Sequence, residues 1–257
     1  MSQRARVWPV ALSLVCVVTA HATSQEIRPG VWAAQEPQTL PLPVGGYSAY
    51  LVGELHGIQE NAAFQLRYLM QLRAASGVRD VAIEEDAVYE EDAAAFVNGD
   101  SKVLPEPLCV HADIFDSIRR LNAGLEPDAR IRVHLTDIDS PASAIRRHLA
   151  DLQQRLRADR VRIPDVTEIK RLGLEAVAQL SQLPMDAATR AGLRTVAFSI
   201  QAYQQGLEIG LGAPHGSPYL DAREEAVADN ILDLVRGVNS RPLLVLYGSD
   251  HVSRAAR

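Results

Sequence analysis

Four short apolar runs in this chain end in side chains that can move protons or hold metals. SAYLVGEL closes on Glu54, with His56 two residues later, and VAIEED ends in Glu84, Glu85 and Asp86. ARIRVHLTDID ends in Asp137 and Asp139, and RPLLVLYGSDH in Asp250 and His251. Side chains alternate along an extended strand, so Glu54 and His56 share a face if the strand continues that far. Such a pair suits either a histidine general base oriented by a carboxylate or two ligands of a metal. Loops carry charge in any protein, and the polar end of one strand is ordinarily a solvated turn or a structural ion pair. Four such ends in one chain point to a shared rim instead.

That rim needs an architecture to bring the ends together. The apolar runs alternate with helical stretches: ENAAFQLRYLMQLRAASG stopped by Gly77, a helix near VYEEDAAAFVNGD, HADIFDSIRRLNAG, and SPASAIRRHLADLQQRLRAD with Ser140 as cap and Pro141 in the first turn. This order predicts an α/β fold with a mostly parallel central sheet flanked by helices, in which ligands collect beyond the carboxyl ends of the strands. Residues 165 to 210 show no strand signal, and Met185 to Leu211 reads as one long helix. A helical insertion or cap is expected over about 141–211.

The helix expected over 222–238 carries a stripe of Val227, Ile231, Leu234 and Val238 that must face the core. At about 100° per residue, Arg223, Glu224 and Asn230 fall on its flanks, while Glu225, Asp229, Asp233 and Arg236 point away. A flank charge beside a sheet requires a partner. Arg223 would pair with Glu84 or Glu85, or hold an anionic group of a ligand. Glu85, Asp137 and Asn230 are candidate substrate-binding residues.

Other chemistry is weaker. His134 lies inside a strand and His148 inside a helix, where packing or solvation is the ordinary role; His111 is no stronger, and His215 sits in a glycine and proline loop. Cys109 reads as a buried apolar residue. Neither a G-x-S-x-G elbow nor a phosphate-binding glycine loop is present, which disfavours serine-triad hydrolysis.

Arg4 and Arg6 precede an apolar run from Val7 to Thr19, and Ala20-His21-Ala22 offers a cleavage site, so residues 1–22 are expected to be a signal peptide and the protein exported, periplasmic or secreted. The run is too short for a membrane anchor and contains Pro9. Residues 23–46, rich in proline and glycine, read as an extended lead-in, and 47–257 as a single α/β domain. Export leaves Cys109 as the only cysteine, so the core must stabilise the fold without an internal disulfide. Losing Arg4 and Arg6 takes the basic residues from 26 to 24 against 32 acids, moving the formal charge from -6 to -8. A small-molecule substrate fits that balance; nucleic acid does not.

LVGELHGIQEN, VAIEED, YLDAREEAVADNIL and LLVLYGSDHVSR resemble, in that order, the signature blocks of the erythromycin esterase-like family, part of a wider group with ChaN-like haem-binding and Tiki/TraB-type proteins. The resemblance implies an α/β fold with a helical cap and metal-independent hydrolysis of an ester or lactone. By position it implies that His56 is the general base and Glu54 its neighbour, that Glu84 is the acid after the second strand, that Arg223 and Asn230 belong to the helix block, and that His251 is the last histidine of an H-N-x-H block. Two positions depart from the pattern. Gly248 stands where that block has its first histidine, and Leu55 alone separates Glu54 from His56. The sequence stops six residues after His251, and set against a full esterase this leads to the expectation of a truncated C-terminus and a reduced cap.

Two classes of function follow. One is a hydrolase without cofactor, using Glu54, His56, Glu84, Arg223 and His251; its metal-dependent variant would set His56, Glu84 and His251 around a divalent metal. The other is a haem or small-molecule carrier of the ChaN-like kind. A rim with many carboxylates and one arginine favours proton transfer or a metal over anionic haem propionates.

Overall fold

The computed structural model describes residues 24–28, 31–34, 41–58, 60–138, 192–198, 218–237 and 241–252, with single residues 154, 182 and 190. The expected signal peptide, most of the expected cap, Asp139, His148 and His215 lie outside the described residues. Met1–Leu42 and Pro43–Arg257 form separate compact units. In the first, β1 (Ser24–Arg28) and β2 (Val31–Ala34) pair antiparallel, so the expected lead-in contains a short hairpin.

The second unit holds the α/β fold that the alternation of runs predicts. Strands β3 (Ala49–Glu54), β4 (Asp80–Asp86), β5 (Arg132–Asp137) and β6 (Leu243–Gly248) form one four-stranded sheet in the order β3-β6-β4-β5, with every neighbouring pair parallel. Helices α1 (Glu60–Ser76), α2 (Glu90–Asn98), α3 (Ala112–Asn122) and α4 (Pro218–Gly237) accompany the strands, and α5 (Ser249–Val252) is one turn after β6. Parallel strands need crossovers, and these helices supply cover for the sheet.

Burial follows position in the sheet. β6 has strands on both sides, and all six of its residues are buried. β3 is an edge strand and alternates instead: Tyr50, Val52 and Glu54 point inward, while Leu51 is 59% exposed. The expectation of a fully buried first strand therefore holds for one face only, and that face carries Glu54 inward at its end. Leu69 and Leu72 of α1, Ile114, Phe115 and Ile118 of α3, and Leu243 to Tyr247 of β6 are core residues.

The helix ends obey local chemistry. Gly77 closes α1 at φ +71, its N–H donating to the Arg73 carbonyl at 3.1 Å while Val78 N–H reaches the Leu72 carbonyl at 3.5 Å, a left-handed cap that only glycine takes without strain. α4 begins at Pro218, before the expected residue 222, because proline suits a first turn where its missing N–H costs nothing. Val227 is buried with Ala82, Leu243, Val245 and Tyr247, and Ile231 and Leu234 pack on them, as the stripe requires; its last member, Val238, lies outside the described residues. The described part of residues 165–210 includes a helical stretch at 192–198. No described helix is long and apolar enough to cross a membrane.

Candidate active site

Because β3 and β6 are parallel and in register, Glu54 sits beside Gly248, and β4 on the other side of β6 carries Glu84 near its own end. The carboxyl ends of the strands thus converge. Glu54 is buried at the end of β3, and its Oε1 accepts from His56 Nδ1 at 3.1 Å and from His111 Nε2 at 3.0 Å. Its other oxygen accepts from the Gln65 amide of α1. Burial works against the Glu54 charge, but His111, Gln65 and His56 together hold its carboxyl below the usual glutamate range.

His56 follows where the strand has ended and Gly57, at φ +81, turns the chain away. Its side chain is 50% exposed, whereas Glu54 and Glu84 beside it are 5% and 7% exposed. Its Nε2 lies 3.7 Å from Glu84 Oε2, too far for a direct hydrogen bond and close enough for both to hold one water.

Glu84 anchors the other half of the site. One oxygen accepts from the backbone N–H of Gly248; the other is 3.0 Å from His251 Nε2 and 3.5 Å from the Arg223 guanidinium. Burial opposes its charge, yet His251, the Gly248 amide and Arg223 keep its pKa lowered. His251 bonds Glu224 through Nδ1, and this contact, with Glu84 on the second nitrogen, raises its pKa to about 10. At neutral pH His251 is therefore a cation held between two carboxylates.

Arg223 pairs with Asp137 rather than with Glu85. Its Nε donates to Asp137 Oδ1 at 2.9 Å and its NH2 group to Oδ2, a two-point grip, with Glu84 as the lesser partner. Burial pushes the Asp137 pKa up, while Arg223 and the Ile138 amide at 2.7 Å pull the other way. Glu85 faces away from this half, bonding His111 Nδ1 at 2.7 Å.

Three expectations change. Asn230 is not at the rim: it is buried, donates to the Thr136 carbonyl at 3.1 Å and accepts from Arg194 at 2.9 Å, tying α4 to β5. Cys109 is exposed, because it lies on the outer side of the 3-10 turn Glu106–His111. Among the described residues, the triad whose ligand atoms all lie within 4.8 Å of one another is Glu54, His56 and His111, not His56, Glu84 and His251. Asp86 is spent on a turn, accepting from Val88 N–H at 3.0 Å. His134, read as a packed residue, bonds Asp80 at 3.0 Å within an ion cluster that includes Arg132.

The fold is shared with a solved erythromycin esterase. That structure, a mutant in its open conformation, superposes with a TM-score of 0.53 at 11% identity over 80% of this chain and 61% of its own. A Bacillus cereus protein gives 0.57 at 17% identity, over 82% of this chain and 59% of its own, and a succinoglycan biosynthesis protein gives 0.54 at 13%, over 80% and 57%. The chain thus spans under two thirds of each of these proteins. No family model matches the sequence, and no curated protein does. At such identities the likeness establishes the fold, while the activity must be argued from the site.

The sequence marked His111 only as a weak candidate and Glu224 only as a flank residue, and it gave no sign of Gln65. His111 stands just before α3, far in sequence from the glutamates it bridges; the one local sign is its place at a helix start, which is ordinary for a surface histidine. Glu224 lies next to Arg223 on the flank of α4, so the helical stripe gave its face but not its partner. His111 is buried, and although burial opposes its charge, hydrogen bonds to Glu54 and Glu85 raise its pKa to about 9.

Proposed function

We propose that this protein is an exported hydrolase in which His56 activates water against an ester or lactone carbonyl. The observation that carries the reading is the placement of His56: among the described residues it is the half-exposed imidazole, with Nδ1 on buried Glu54 and Nε2 directed toward buried Glu84. Glu54 fixes the ring with its Nδ1–H toward the carboxylate, which leaves the Nε2 lone pair facing the rim.

In the proposed reaction a water held between Nε2 and Glu84 loses a proton to Nε2 as its oxygen bonds the carbonyl carbon. The carbonyl electron pair moves to oxygen, and the anions Glu54 and Glu84 stabilise the imidazolium. When the intermediate collapses, the ester C–O bond breaks and the alkoxide takes the proton back from Nε2. Acid and alcohol leave, and the histidine is neutral again. Both nitrogens of His251 are on carboxylates, and the guanidinium of Arg223 is turned to Asp137 and Glu84, so these cations act by keeping Glu84 ionised.

The test is mass-spectrometric hydrolysis of a panel of macrolide lactones and simple esters by the mature protein and its His56→Ala variant, with and without chelator. Addition of water that needs His56 and survives the chelator supports the reading. Loss on chelation replaces it with a metal-dependent hydrolase, and no turnover of any ester or lactone in the panel overturns it.

A further inference from the structure

Glu54 Oε1 stands at the centre of two short contacts, 3.1 Å to His56 Nδ1 and 3.0 Å to His111 Nε2, and the three ligand atoms lie within 4.8 Å of one another. Neighbouring ligands of a tetrahedral zinc, with bonds near 2.0 to 2.1 Å, are separated by about 3.3 Å. Both carboxylate–histidine separations are close to that value, and the third, between the two ring nitrogens, is no more than 4.8 Å, so a small inward shift of the half-exposed His56 would complete the set. The two rings stand 6.0 Å apart and inclined at 77°, so their edges converge on the carboxylate instead of stacking.

The surroundings are those of a built site. His111 Nδ1 bonds Glu85 at 2.7 Å, and a carboxylate on the far nitrogen fixes a ligand histidine's tautomer and ring plane. The second oxygen of Glu54 is held by Gln65. Glu54 and Glu85 together would supply two negative charges, matching a divalent ion. An open route also exists: Glu54, His111 and Gln65 line a cavity of about 150 Å³ whose other walls include Ile58, Val110 and Ile114.

We infer that Glu54, His56 and His111 form a site for a borderline divalent cation such as zinc or cobalt, distinct from the water-activating face of His56. The inference goes beyond the proposed hydrolysis and sets a condition on it. A cation on His56 Nδ1 requires the neutral ring to carry its proton on Nε2, which removes the lone pair that would activate water. Metal occupancy and histidine base catalysis thus exclude one another, and the ion acts as an inhibitor of that chemistry.

The test titrates the full chain, after treatment with chelator and its removal, with zinc alone by calorimetry and with cobalt alone by visible absorption. One ion per chain is expected, with affinity lowered at least about tenfold by His111→Ala and by Glu54→Gln, about tenfold by Glu85→Gln, and unchanged by Cys109→Ser. Circular dichroism of each variant separates lost ligands from lost fold, and Glu85→Gln, which keeps shape and a hydrogen-bonding group, serves where His111→Ala does not fold. Absence of stoichiometric binding, or binding that depends on Cys109 and ignores both His111 and Glu85, overturns the site. Zinc binding with no hydrolysis by the metal-free protein keeps the site and removes the hydrolase reading; hydrolysis by the metal-free protein without zinc binding does the reverse.

Discussion

His56 and His251, brought in by the adjacent parallel strands β3 and β6, meet the two different oxygens of one buried carboxylate, Glu84, at 3.7 and 3.0 Å. The nearer histidine is also tied to Glu224, while the farther one is half exposed. One ring is thereby committed to charge balance and the other left available to substrate. Sheet topology makes this division, since a residue just past β3 has open solvent beside it and a residue just past β6 has strands on either side.

His56→Ala is expected to lower ester hydrolysis by about 10² to 10⁴ while leaving the fold intact. Glu54 keeps His111 and Gln65, so no buried charge is stranded, and unfolding free energy should change by no more than about 0.5 kcal/mol. Rates and urea midpoints measured on the same preparation decide this. A variant that keeps its rate removes His56 from the chemistry.

Gly248 matters for a different reason. A Cβ there would lie 3.1 Å from His56 Nε2, 3.2 Å from Glu84 Oε2 and 3.3 Å from His251 Cδ2, inside the space where water and carbonyl must meet. Gly248→Ala is expected to lower kcat at least about tenfold with a stability cost of about 1 to 3 kcal/mol, because half-exposed His56 can give way while buried Glu84 cannot. Equal kinetics in the two proteins would place the reacting atoms elsewhere.

Arg223 should prove to be a stability residue as much as a site residue. Arg223→Gln removes the two-point grip on Asp137, which is 4% exposed, and a stranded buried carboxylate costs about 3 to 5 kcal/mol or takes up a proton. Urea unfolding at pH 7 measures the loss. Arg223→Lys should recover little of it, since an ammonium cannot reproduce the fork.

Away from the rim, Asp80 and His134 give a pH signature. Burial opposes both charges, but their mutual bond, with Arg132 on Asp80 and Glu90 on His134, lowers Asp80 to about 2 and raises His134 to about 9. The histidine contribution is present in full below about pH 6.5 and disappears as pH rises through about 9; the aspartate contribution is present above about pH 3.8 and disappears as pH falls through about 2. The difference in melting temperature between wild type and His134→Gln should therefore shrink between pH 6.5 and pH 9.5, by about 2 to 4 °C per kcal/mol lost. A constant difference over that range would show that His134 is neutral in the folded chain.

Much of this was legible in the sequence because strand ends and helix stripes are local signals. The apolar runs located β3 to β6, and parallel pairing then placed Glu54, Glu84, Asp137 and the start of α5 along one rim without further information. What was not legible is what a linear pattern cannot carry. The sequence offered Glu84 and Glu85 alike as partners of Arg223, and only the packed structure shows that Glu85 turns to His111 while Glu84 turns to His251. The flank of α4 held Arg223, Glu224 and Asn230 alike; their distance along the helix axis sent two to the rim and left Asn230 bonding the Thr136 carbonyl farther down. Cys109 was misread because its apolar neighbours belong to a short 3-10 turn that turns one side to solvent.

The strand order β3-β6-β4-β5 has one more consequence, which concerns time. β6 is made long after β3, β4 and β5, yet its slot lies between β3 and β4. Until it arrives, β3 and β4 lack the neighbour they share among the described strands, and the Glu84 carboxylate lacks its Gly248 and His251 partners. A chain emerging in order thus holds its two principal glutamates apart until residues 243–248 have been synthesised. Site assembly and sheet closure then become the same late event, governed by a contact of large sequence separation.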